Sequence, residues 1–148
     1  MTKTSVAVQP ALARITLKAA DVMQHPVIAA TPHACLRDIA SQIISYGFSG
    51  MPVAERDGKV LGVISEADIV FSLLDGHRLE NVAAADFMTS PPVTVDVEAP
   101  LEEVMRTLQE HRIVRVPVTE HGKLVGIISR RDVIRAVLEP EFNAFGNQ

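Results

Sequence analysis

The chain has 148 residues, 47% hydrophobic and 22% charged, a globular make-up rather than a disordered or fibrous one. Lys and Arg total 14 against 18 Asp and Glu, a formal charge of −4, so the excess cations with which a dedicated nucleic-acid binder neutralises phosphates are missing. The lone cysteine, Cys35, excludes a disulfide framework and any CxxC redox or zinc motif. No apolar run approaches the ~20 residues of a membrane helix. Gln9, Pro10 and Arg14 interrupt the first stretch, which makes it a poor secretory signal. The expectation is a soluble, cytoplasmic protein.

In chain order, residues 1–18 read as an arm without chemistry. From residue 19 a pattern begins that later returns. Ala20-Asp21-Val22-Met23-Gln24-His25-Pro26 recurs as Ala85-Asp86-Phe87-Met88-Thr89-Ser90-Pro91, displaced by 65 positions, and Pro52-Val53 recurs as Pro117-Val118. One residue is then lost, and Gly62-Val63-Ile64-Ser65-Glu66-Ala67-Asp68 returns as Gly126-Ile127-Ile128-Ser129-Arg130-Arg131-Asp132 at a displacement of 64. The deletion falls in a turn, where deletions cost least.

Each copy reads as strand, helix, strand, strand, helix. In the first, Val27 to Ala29 is extended, and Leu36, Ile39, Ala40 and Ile43 mark one face of a helix. Met51 to Ala54 and Val60 to Ile64 form a hairpin across Glu55-Arg56-Asp57-Gly58. Ser65 opens a helix with apolar positions Ile69, Val70 and Leu73. Residues 75–84 cross to the second copy. There Val93 to Val95 is extended, and Leu101, Val104, Met105 and Leu108 mark the helix. Val116 to Thr119 and Leu124 to Ile128 pair across Glu120-His121-Gly122. Ser129 opens the last helix, with Val133, Ile134 and Val137 apolar, and residues 139–148 form a tail. A unit of about 55–60 residues buries too little surface to be stable alone, so the two copies are expected to share a core.

The Ser-x-x-Asp of each copy has two compatible readings. One is a capping box, in which Ser and Asp satisfy the orphan amides of a helix start. The other is a ligand site, because free amides and the helix dipole attract phosphate and a carboxylate can accept both ribose hydroxyls. The second copy adds Arg130 and Arg131, cations placed where the macrodipole opposes them, and Arg115 two residues before Pro117. Gly50, Glu66 and Ala67 stand at those places in the first copy. Catalytic signals are weak. Gly47-Phe48-Ser49-Gly50 has the wrong spacing for a nucleophile elbow. His25, His33, His77, His111 and His121 form no HxxxH or HExxH pair. No Walker loop is present, and Cys35, opposite Pro100, reads as a tolerated residue.

Two βαββα copies, each with Met-x-x-Pro, a Pro-Val strand and Gly-h-h-Ser-x-x-Asp, resemble a cystathionine β-synthase (CBS) domain pair, or Bateman module, over residues 19–138. The resemblance implies an α/β (α+β) fold, with tandem repeats at 19–74 and 85–138 packed sheet to sheet in a pseudo-two-fold disc. It implies no enzymatic activity of its own and no catalytic cofactor or metal. It also implies regulatory binding of AMP, or of ADP, ATP, NAD or S-adenosylmethionine, in clefts between the repeats, and homodimerisation. In the second repeat Ser129 and Asp132 would hold phosphate and ribose, with Arg115, Arg130 and Arg131 beside them. Thr94, Val95, Val116 and Pro117 would clasp the adenine. In the first, Ser65 and Asp68 correspond, with Ala29, Gly50, Met51 and Pro52. An unidentified regulated protein would receive the signal. The competing expectation is a structural dimerisation adaptor with vestigial clefts; nucleic-acid binding through the Arg-rich copy is a weaker third.

Overall fold

The computed structural model describes residues 16–146 and is a mixed α/β fold of small sheets and short helices. Its elements are α1 (Ala19–Val22), α2 (Leu36–Tyr46), β1 (Gly50–Ala54), β2 (Val60–Ser65), α3 (Glu66–Leu74), α4 (Ala84–Phe87), β3 (Val95–Asp96), α5 (Leu101–Glu110), β4 (Arg115–Glu120), β5 (Lys123–Ser129) and α6 (Arg130–Gly146). A 3-10 turn, Leu79–Asn81, precedes α4. Val27 to Ala29, expected as a strand, is not one: the neighbouring Ala30 makes only an isolated parallel bridge to Val53. The corresponding strand of the second copy shrinks to Val95–Asp96. The last helix runs past the expected end at 138 to Gly146.

The chain forms two compact units, and they do not coincide with the two copies in sequence. One unit holds the residues up to His25, Val95–Val118 and those from Gly126 onward; the other holds Pro26–Thr94 and Thr119–Val125. Each copy therefore contributes its opening segment to the unit built mainly by the other.

In the Pro26–Thr94 unit, β1 and β2 pair antiparallel, with Met51 opposite Ile64 and Pro52 opposite Val63. Leu36, Ile39 and Ile43 from α2 join Met51, Val53 and Ile64 in its core. Residues 75–84 are part of this packing. Val82 is buried, its carbonyl accepts the Leu36 N–H at 2.9 Å, and Ala84 N–H reaches Ala34 O at 2.8 Å. In the other unit the same bonds return 65 positions away: Leu101 N–H reaches Leu17 O at 2.9 Å, and Ala19 N–H reaches Ala99 O at 2.8 Å. The cores correspond as well, with Leu101, Val104, Leu108, Val116 and Ile128 buried. The faces of α3 and α6 depart from expectation. Of the apolar positions expected to face inward, only Ile69 and Val133 are buried, while Val70, Leu73, Ile134 and Val137 are exposed.

The single-residue deletion has a geometric cause. In the first hairpin Glu55 N–H bonds Lys59 O, leaving a three-residue loop closed by Gly58 at φ 97°. The second loop has only His121 and Gly122 between β4 and β5, at φ 52° and 77°, the two positive angles of a type I′ turn. Both loops suit the right-handed twist of a hairpin, and they differ by one residue.

Candidate functional site

Each Ser-x-x-Asp motif sits where a strand hands over to a helix. At the start of α3, Ser65 Oγ accepts the Asp68 N–H at 3.2 Å, and Asp68 Oδ2 accepts Ser65 N–H at 2.8 Å and Ser65 O–H at 2.9 Å. At the start of α6, Ser129 Oγ accepts the Asp132 N–H at 3.2 Å, and Asp132 Oδ2 accepts Ser129 N–H at 2.8 Å. Both are closed capping boxes, so both serine and carboxylate positions are preset by the helix start itself.

The remaining carboxylate oxygens differ. Asp132 Oδ1 accepts the Gln24 side-chain amide at 2.7 Å and the Arg135 guanidinium at 3.1 Å, and Asp132 is only 5% exposed. Asp68 is half-buried, and its Oδ1 accepts no hydrogen bond among the described residues. Sequence reasoning missed Gln24 and Arg135. Arg135 lies one turn beyond Asp132 on α6, a spacing that permits the ion pair. Gln24 lies 108 residues away and carried no signal.

The three expected arginines do different things. Arg115 opens β4 and is half-buried. Arg130 turns back onto the preceding loop, its Nε donating to Ile113 O at 3.3 Å and its N–H to Val114 O at 2.9 Å. Arg131 is exposed and makes no hydrogen bond or ion pair among the described residues. Of the residues expected around adenine, Val95, Val116, Pro117, Gly50, Met51 and Pro52 are buried, whereas Ala29 and Thr94 are exposed. Gly50 is constrained by packing, since a Cβ there would stand 2.7 Å from the Ile64 carbonyl oxygen. A larger residue in the place of Gly50 would require β1 or β2 to shift there.

The opening segments dock against the strands that carry the motifs. Gln24 and Ile127 exchange both backbone bonds, at 2.9 and 3.1 Å, and Thr89 and Val63 do the same, at 2.9 and 3.1 Å. Beside each pair a glycine makes room for a methionine. A Cβ on Gly62 would come within 2.8 Å of Met88 Sδ, and one on Gly126 would collide with Met23 Sδ. The Met-x-x-Pro start and the glycine of Gly-h-h-Ser-x-x-Asp are thus two halves of one contact. No helix among the described residues is long and apolar enough to cross a membrane. No group of three or more His, Cys, Asp or Glu among them is placed to hold a metal ion.

The family model described as the CBS domain matches residues 19–75 and again residues 84–139. The chain belongs to the CBS domain family and carries a tandem pair. Hypoxic response protein 1 of Mycobacterium tuberculosis is 28% identical over 122 residues, covering 82% of this chain and 85% of that protein. The A-adding tRNA nucleotidyltransferase of Aquifex aeolicus is 29% identical over 127 residues, covering 84% of this chain. The match spans only 15% of that enzyme's length. Among solved structures, CBSX2 in complex with AMP superposes with a TM-score of 0.74 at 26% identity, over 84% of this chain and 98% of that one.

Proposed function

We propose that this CBS pair is a non-catalytic regulatory module that binds adenosine-bearing nucleotides, AMP foremost, and transmits their level to a partner protein. The reading is carried by the duplicated Ser-x-x-Asp box, in a family whose 26%-identical member CBSX2 was solved with AMP. In this proposal Asp68 and Asp132 receive the ribose hydroxyls. The helix starts at Ser65 and Ser129 face the phosphate end. Arg115 and Arg131 bias the second site toward phosphorylated ligands, and a buried Val95, Val116 and Pro117 frame the adenine there, as Gly50, Met51 and Pro52 do in the first. A cytoplasmic setting belongs to the same reading and suits the single Cys35.

The test is a thermal-shift panel of AMP, ADP, ATP, NAD and S-adenosylmethionine. A ligand at ~100 times its Kd adds about 2.7 kcal/mol of stability, which for a chain of this length is roughly 5–10 °C. One observation favours a second reading, that of a dimerisation adaptor. Val70, Phe71, Leu73 and Leu74 on α3 are exposed by 55%, 60%, 52% and 82%, a cluster of exposed apolar side chains of the kind that marks an interaction surface. A flat panel from a chain that self-associates supports the adaptor instead.

A further inference from the structure

The duplication supplies an internal comparison of the two carboxylates. Gln24 and Thr89 occupy equivalent places, each exchanging two backbone bonds with the strand leading to its Ser-x-x-Asp motif, at Ile127 and Val63. Gln24 spans the gap from there to Asp132 Oδ1 at 2.7 Å. Thr89, two atoms shorter, makes no side-chain hydrogen bond among the described residues. Arg135, the second partner of Asp132 Oδ1, is replaced at the equivalent place on α3 by Phe71. Among the described residues, Asp68 Oδ1 therefore has no donor, whereas Asp132 Oδ1 has two.

A ribose diol binds a carboxylate through two O–H donors, and the amide of Gln24 offers the same kind of donor to the same atom. We propose that Gln24 is an internal competitor for the second site: its amide holds Asp132 Oδ1, and a ribose hydroxyl reaches that oxygen by displacing it. The inference rests on Asp132 being the ribose acceptor of the proposed function. It makes the two sites unequal. The first accepts a diol without displacement. The second responds to ligands whose phosphate, held by Arg115 and Arg131, offsets the loss of the Gln24 bond. Gln24 thereby acts as a specificity residue, raising the nucleotide concentration at which the second site fills.

The experiment is calorimetric titration of AMP into the Asp68→Asn chain, which mutes the first site, and into the same chain carrying Gln24→Ala or Gln24→Thr. Gln24 is exposed, and Ser129 and Arg135 continue to hold Asp132, so the variants keep their fold; unfolding curves taken in parallel verify it. Removing a charge-assisted competitor should lower the AMP Kd about tenfold or more, with Gln24→Thr matching Gln24→Ala. Binding that appears only in the Gln24 variants also supports the inference. An AMP affinity that is unchanged or weaker in both variants overturns it and leaves the nucleotide reading standing, with Gln24 as a mere support for Asp132. Absence of AMP binding from the natural chain and from every variant overturns both together.

Discussion

Replacing each carboxylate by its amide tests whether the two capping boxes are energetically alike. Asp132→Asn retains one carbonyl oxygen, which can continue to accept the Ser129 N–H. The new NH2 then meets two donors, the Gln24 amide and the Arg135 guanidinium. Gln24 can flip its amide and Arg135, half exposed, can turn to water. What is lost is about one charge-assisted hydrogen bond in a nearly buried place, ~1.5–3 kcal/mol. In Asp68→Asn the accepting oxygen serves only Ser65, through its N–H and O–H, and the carbonyl keeps both. That exchange should cost no more than an ordinary hydrogen bond, ~0.5–1.5 kcal/mol. Urea unfolding without nucleotide should place Asp132→Asn about 1 kcal/mol or more below Asp68→Asn, a melting difference of roughly 2–4 °C. Equal stabilities, or a larger loss in Asp68→Asn, would refute the idea that the Gln24 and Arg135 contacts hold Asp132 more firmly than its counterpart.

Two further outcomes follow from packing and exposure. Gly62→Ala drives a Cβ to 2.7 Å from the Thr89 carbonyl oxygen, a backbone atom that cannot swing aside; about 1–3 kcal/mol should be lost, and a melting temperature equal to the parent's would show that the opening segment is not docked as described. Val70→Glu and Leu74→Glu alter side chains exposed by 55% and 82%, so stability should change by no more than ~0.5 kcal/mol. Light scattering across a concentration series should meanwhile show a self-associating parent fall to monomer mass, and unchanged mass in both variants rules out the α3 face as the contact.

Much of the architecture was written locally. Hairpins, helices and the Ser-x-x-Asp starts follow from periodicity and turn chemistry, which act over a few residues, and the duplication made each element legible twice. The last helices were readable as helices, yet their buried side was not. Val70, Leu73, Ile134 and Val137 satisfy the helical spacing, but the elements packed against α3 and α6 reach only Ile69 and Val133 deeply. Spacing states that a face exists and not what covers it. The arginines show the same limit. Their number and place favoured an anion site, while the fold turned Arg130 onto Ile113 and brought Arg135 to Asp132.

The sequence by itself determined the two copies, their hairpins and principal helices, the deletion allowed by a shorter hairpin loop, and the family. Tertiary structure alone decided how the copies exchange their opening segments. It matched Met23 to Gly126 and Met88 to Gly62, and it set Gln24 on Asp132 Oδ1, where Thr89 makes no such bond to Asp68 among the described residues. The reason is physical: a capping box closes within four residues of chain, so its residues carry it in their order. The state of a carboxylate oxygen depends on whichever donor the folded chain delivers to it, and here that donor comes from 108 residues away.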